Sequence, residues 1–110
     1  MRFDFKALGR LKVRERNKTE AAYEQHLELL KRAGEILWYN FHGLKFRLAD
    51  KLSYTPDFIV MNKNHEIEVH EVKGFWMDDA RAKIKMAAEI FPFIFIAIKK
   101  NGKNWDIEEF

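Results

Sequence analysis

Between residues 17 and 33 the apolar side chains Tyr23, Leu27, Leu30 and Ala33 recur at three- and four-residue spacing, which predicts an amphipathic helix. Gly34 is a natural C-terminal stop for it. Residues 36–41 and 44–49 are rich in aromatic and aliphatic side chains around His42-Gly43, and predict a hairpin or a bent strand. Tyr54-Thr55-Pro56-Asp57 leads into a short strand over 58–61, followed by the polar turn Asn62-Lys63-Asn64-His65. Residues 66–73 alternate cleanly and give the best strand signal in the chain, ended by Gly74. Asp78 or Asp79 can cap a second helix with the apolar face Ala80, Ile84, Ala87, Ala88 and Phe91, stopped by Pro92. The continuous apolar run 93–98 predicts a strand buried on both faces, and Asn101-Gly102 turns the chain into an edge strand over 105–110. The order helix, two or three antiparallel strands, helix, buried strand predicts an α/β fold with a mixed sheet flanked by helices.

The alternation of residues 66–73 places Ile67, Val69, Glu71 and Lys73 on one face and Glu66, Glu68, His70 and Val72 on the other. The first face begins apolar and ends in a carboxylate and an ammonium, an expensive combination on a core-facing surface. Folding this strand back through the turn at 62–65 pairs Asp57 with Glu71, Ile59 with Val69, and Met61 with Ile67. Directly paired residues share a face with Cβ atoms about 4.5–5.5 Å apart. Two carboxylates then stand side by side with Lys73 one step along. Like charges in that position need a cation between them, and a hard divalent ion such as Mg²⁺ takes oxygen ligands. A structural ion-pair cluster at a sheet edge is the competing reading. The Pro-Asp step, the symmetric spacing and the apolar face favour a site.

The first helix offers a third acid. At about 100° per residue, Glu20 lies roughly 20° from Leu27 at the border of the apolar face, and Glu24 about 60° away on the polar side. Glu20 can point toward the sheet, but Asn17-Lys18-Thr19-Glu20 also reads as a capping box in which Glu20 turns back to the Asn17 amide. Both readings stay open.

Charge sharpens the picture by its distribution. The chain carries 20 Lys and Arg against 17 Asp and Glu, a formal net charge of +3. Residues 1–19 hold seven basic side chains against Asp4 and Glu15, whereas the remainder is slightly acidic. Residues 1–16 therefore read as a basic arm, with Arg10, Lys12, Arg14, Arg16 and Lys18 as candidate contacts to nucleic-acid phosphates, and residues 17–110 as one domain. A length of 110 residues with 47% hydrophobic side chains suits a single domain and excludes separate recognition and catalytic modules. Zero cysteines exclude disulfides, Cys-based zinc sites, iron–sulfur clusters and thiol catalysis. Arg2, Asp4 and Lys6 interrupt any signal-peptide run, and the apolar stretch 90–98 falls short of the ~20 residues of a membrane span. The expectation is a soluble, cytoplasmic protein.

Pro56-Asp57 followed, after a strand–turn–strand, by Glu71-Val72-Lys73-Gly74 resembles the signature of the PD-(D/E)XK nuclease superfamily. The predicted order resembles that superfamily's restriction-endonuclease-like αβββαβ core. A finer likeness is to small phage and prophage endonucleases, through Glu20-Ala21, Ala33-Gly34-Glu35-Ile36, Tyr54 to Phe58, Val72-Lys73-Gly74 and a basic second helix with Arg81, Lys83 and Lys85. The resemblance covers roughly residues 17–100. It implies a metal-dependent DNA endonuclease with Asp57 and Glu71 as ligands to Mg²⁺, or Mn²⁺ as substitute. The Val72 carbonyl would be a further ligand, Glu20 would act directly or through a water, and Lys73 would orient or deprotonate the attacking water. Arg81, Lys83 and Lys85 would touch phosphates. It also implies a phage or prophage role in DNA recombination or processing and pairing into homodimers, and the length of 110 residues leads to the expectation that DNA structure is selected over sequence. A non-catalytic DNA-binding module and an RNA-directed nuclease are the alternatives.

His26, His42, His65 and His70 match no zinc spacing. His70 points away from Glu71's face, which leaves a supporting or DNA-contact role. Trp38, Tyr39, Trp76 and Trp105 suit base stacking less well than core packing.

Overall fold

The computed structural model describes residues 15–73 and 78–110. The arm residues Arg10, Lys12 and Arg14, and with them Gly74 and Trp76, lie outside the described residues.

Helix α1 (Lys18–Arg32) starts where its sequence supplies the reciprocal cap. Asn17 Oδ1 accepts from the Glu20 amide at 2.8 Å, and Glu20 Oε1 accepts from the Asn17 amide at 2.9 Å. Ala33 is the C-cap, and Gly34 at φ 80° takes the left-handed conformation that ends the helix. There follow β1 (Ile36–Phe41), β2 (Phe46–Ala49), β3 (Leu52–Tyr54), β4 (Phe58–Asn62), β5 (Ile67–Lys73), α2 (Asp78–Ile90), β6 (Ile94–Asn101) and β7 (Asn104–Glu109). Five strands form one mixed sheet in the order β1-β4-β5-β6-β7, and β2-β3 form a separate two-stranded hairpin. β5 and β6 pair in parallel across α2, and the other neighbours pair antiparallel. The fold is thus mixed α/β, with a helix on each side of the sheet, as the pattern of elements predicts.

Alternation along the strands builds two cores. Phe41, Phe58, Val60, Val72 and Ile98 pack against Tyr23 and Leu27 of α1. On the opposite face Ile59, Val69 and Phe95 meet Ile84 and Ala87 of α2 and Phe46, Leu48 and Tyr54 of the hairpin. Both faces of β5 are therefore covered.

Two sequence expectations need correcting. Residues 36–41 and 44–49 do not pair with one another. His42 adopts φ 53° and its amide donates to the Asp57 carbonyl at 2.9 Å, which lays β1 along β4 with Phe41 opposite Phe58. The following segment instead finds β3, whose three residues are too few to announce a strand by alternation. His70 is the second correction. It is not open to a DNA contact, because α1 covers it and the Tyr23 hydroxyl stands 2.7 Å from its Nδ1. No helix among the described residues is long and apolar enough to cross a membrane.

Leu27 is fully buried under the sheet, whereas Leu29 on the same helix is 63% exposed. Leu27→Ala should cost about 2–5 kcal/mol in urea unfolding. Leu29→Ala should stay within about 0.5 kcal/mol. Equal losses would show that α1 does not pack by the face described.

Candidate functional site

The β4–β5 ladder pairs Ile59 with Val69 and Met61 with Ile67, the register predicted from the turn. Continued one step beyond Phe58 and His70, it sets Asp57 opposite Glu71. Asp57, Glu71 and Glu20 are 2%, 6% and 2% exposed, so three acids are withdrawn almost entirely from water. Asp57 is the centre of the group: its carboxyl is within hydrogen-bond reach of both Glu20 and Glu71.

Glu20 resolves the two readings of its role by fulfilling both. One oxygen closes the capping box on Asn17, and the carboxyl meets Asp57. The cap and the contact to Asp57 are made by the same side chain, so the bond to the helix N-terminus helps fix the acid where it meets Asp57. Glu24 is the acid that stays outside, paired with Arg16.

Protein donors hold the remaining oxygens. The Val72 amide donates to Asp57 Oδ2 at 2.8 Å. The Tyr54 hydroxyl donates to Glu71 Oε2 at 3.0 Å, and Lys73 Nζ lies 3.4 Å from Glu71 Oε1. The Lys73 side chain remains 37% exposed, the one partly open group in the cluster. Burial, then the negative charge of Glu71, then the bond to Glu20 push the Asp57 carboxyl up to about 8, against the pull of the Val72 amide. Burial also raises Glu71, although Lys73 and the Tyr54 hydroxyl draw it down. Tyr54 is raised far above the ordinary phenol range by burial and by Glu71, so it serves as a hydrogen-bond donor.

Among the described residues no three His, Asp or Glu side chains form a ready-made metal cage. The acids are turned instead to one another and to the donors just named. Their chemistry nevertheless fits a hard divalent cation. The donors are all oxygen, and burial raises the carboxyls of both Asp57 and Glu71, Asp57 also through the charge of Glu71, so that a cation would favour their ionised forms. Asp57 and Glu71 are the residues best placed to hold such an ion, with Glu20 behind Asp57.

The family described as "Protein of unknown function (DUF1064)" matches residues 12–104. The chain belongs to that family. Among curated proteins and among solved structures nothing matches it. The carboxylate group and its supporting donors all fall within the part of the chain that the DUF1064 match covers.

Other residues singled out in this DUF1064 chain are dispersed. Arg16 pairs with Glu24 and lies over the Phe41 ring, 4.4 Å from its centroid. Lys18 is exposed at the start of α1. On α2, Arg81 makes a bidentate pair with Glu108 of β7 at 2.8 and 2.7 Å, Lys83 is half-buried, and Lys85 is exposed. Val72 presents its amide to Asp57 and its side chain to the α1 core. Of the aromatics, Trp105 packs edge-on against Tyr23 and Tyr39 bonds to Glu28, so both are structural, whereas Trp38 is 43% exposed.

Two features escape sequence reasoning. Tyr54 is one; the sequence offers it as the start of the Tyr54 to Phe58 segment but gives it no role. The other is a buried chain on the far face of β5, in which Asn62 donates to Glu68 at 2.9 Å, His70 Nε2 lies 2.8 Å from Glu68, and Tyr23 meets His70 Nδ1. Alternation shows which face His70 takes, but not that a tyrosine of α1 would cover it.

The pKa of Asp57 gives the metal-free protein a definite pH dependence. A carboxyl whose folded value lies above its unfolded value of about 4 contributes fully below that pH and loses its contribution as pH rises through the folded value. Without metal, the melting temperature should therefore fall between about pH 4 and about pH 8, and Asp57→Asn should flatten that fall and raise the value at the alkaline end. Added Mg²⁺ should stabilise the unsubstituted protein more at the alkaline end than at the acidic end. A melting profile that Asp57→Asn leaves unmoved would remove Asp57 from the centre of the site.

Proposed function

We propose that this chain is a divalent-metal-dependent DNA endonuclease of the PD-(D/E)XK superfamily, with a restriction-endonuclease-like core. The observation that carries the reading is the meeting of Glu20, Asp57 and Glu71 at one end of β4 and β5, with Lys73 beside them and half open to solvent.

Asp57 and Glu71 would hold Mg²⁺ or Mn²⁺, with the Val72 carbonyl as a further ligand and Glu20 acting directly or through a water. When bound, the cation would lower the pKa of a water and offset negative charge developing on the phosphate. Lys73 supplies the matching protein function. Its ammonium, anchored by Glu71 and partly exposed, orients the attacking water and neutralises charge on a phosphate oxygen. Tyr54 fixes the second oxygen of Glu71, leaving Lys73 to share the first. Water attacks phosphorus in line, and the P–O bond to the leaving sugar oxygen breaks. The substrate proposed is DNA of distinctive structure, such as a branch or nick, in preference to a long sequence. Lys18, Lys83 and Lys85 are the described members of the proposed phosphate-contacting set that make no ion pair among the described residues, and the arm would add to them.

Plasmid, linear duplex and a four-way junction, each incubated with Mg²⁺ or with EDTA, provide the test. Cleavage in Mg²⁺ alone is expected on at least one of them. Asp57→Asn and Lys73→Ala should each lower the rate by about 100-fold or more while DNA binding persists. Glu20→Gln should cost less, since Glu20 reaches the ligands through Asp57. Binding with no cleavage under any condition would favour a DNA-binding module on this fold. Cleavage confined to RNA would reassign the substrate.

A further inference from the structure

The cations that sequence reasoning assigned to DNA are partly committed elsewhere, and a different basic surface lies on the outer face of the hairpin whose Tyr54 holds Glu71. Lys45, Arg47, Ala49, Lys51, Leu52 and Ser53 line a cleft of about 460 Å³ on the β2–β3 hairpin. We propose that this outer hairpin face binds the phosphate backbone of duplex DNA beside the cleavage site. The proposal rests on the nuclease reading only for the identity of the polyanion.

The hairpin is polarised by its alternation. Phe46, Leu48 and Tyr54 turn inward and are buried, whereas Lys45, Arg47 and Lys51 are exposed. Arg47 is paired in register with Ser53, which puts the two side chains on the same face of the hairpin. Residues 45–53 contain three cations against the single acid Asp50. Asp50 lies 3.4 Å from Arg47, but both side chains are more than 70% exposed, so the pair is weak and readily exchanged for a phosphate. Two of the cations first assigned to DNA are more firmly engaged: Arg81 is held in both forks by Glu108, and Arg16 by Glu24 and the Phe41 ring.

Register ties the cleft to the site. Phe46 lies opposite Tyr54, and the Tyr54 hydroxyl holds Glu71. The three steps from Tyr54 to Asp57 span at most about 11 Å. Duplex DNA carries a charge about every 1.7 Å along its axis, so a duplex with one phosphate at Lys73 has several more within reach of the hairpin. The lining residues include no aromatic ring on which an unpaired base could stack. Cationic heads with a serine hydroxyl suit phosphate oxygens.

Fluorescence anisotropy with a labelled linear duplex of about 20 base pairs, in EDTA over a range of salt, tests this without any cleavage. Lys45→Gln/Arg47→Gln/Lys51→Gln should reduce the slope of log K against log salt by about 3, near 0.9 per lost phosphate contact. All three side chains are exposed, so its melting temperature should match the unsubstituted protein. The control Arg32→Gln/Lys63→Gln/Lys103→Gln removes the same charge elsewhere and should leave the slope within about 1 of its starting value. An unchanged slope in the hairpin variant, an equal fall in the control, or no duplex binding by the unsubstituted protein would each overturn the assignment. A lost slope in a protein that cuts no DNA in Mg²⁺ would uphold the hairpin surface and remove the nuclease reading instead.

Discussion

Three carboxyl groups are held out of water at one point, and much of the structure is arranged around that cost. Withdrawing an ionised carboxylate from solvent carries a penalty of several kcal/mol, and neighbouring like charges add to it. Four elements share the compensation. α1 delivers Glu20 already bonded to its own N-terminus, and β3 supplies the Tyr54 hydroxyl. The stretch before β4 carries Asp57, and β5 supplies Glu71, the Val72 amide and Lys73. Among the described residues no buried side-chain nitrogen or oxygen lacks a hydrogen-bond partner. Asp57 and Glu71 are nevertheless left with raised pKa values, so the compensation is incomplete. A site whose negative charge is only partly balanced by the protein has a reason to take up a cation.

Legibility in the sequence followed the range of the interaction. The β4–β5 register could be read because a four-residue polar turn lies midway between Asp57 and Glu71, and period-two alternation then fixes every pair. The α1 cap was equally visible, since it joins residues three apart. Glu20 could not be decided, because the choice posed was between a local bond and a distant one, and the side chain makes both. The β2–β3 hairpin was hidden for a different reason. Aromatic and aliphatic residues before and after His42-Gly43 look like two strands of one hairpin. Only the left-handed turn at His42 and its amide bond to Asp57 send β1 to β4 instead. Tyr54, and the basic face opposite it, went unassigned with that hairpin.

The far face of β5 explains how α1 keeps Glu20 in place. Tyr23 lies one helical turn beyond Glu20, and its hydroxyl meets His70, which is tied in turn to Glu68 and Asn62. Glu68 engages His70 Nε2 and the Tyr23 hydroxyl engages Nδ1, so both ring nitrogens have a partner. Leu27, a further turn along, packs into the same core. Two contacts a turn apart set the rotation of α1, and that rotation carries Glu20 to Asp57. Since His70 and Glu71 are adjacent on a strand, they must face opposite sides of the sheet. A slip of one residue in β5 would therefore exchange them, sending the carboxylate under α1 and the imidazole toward Tyr54. The register that assembles the acids also locks the helix that completes them, so neither half of the site can form correctly while the other is out of step.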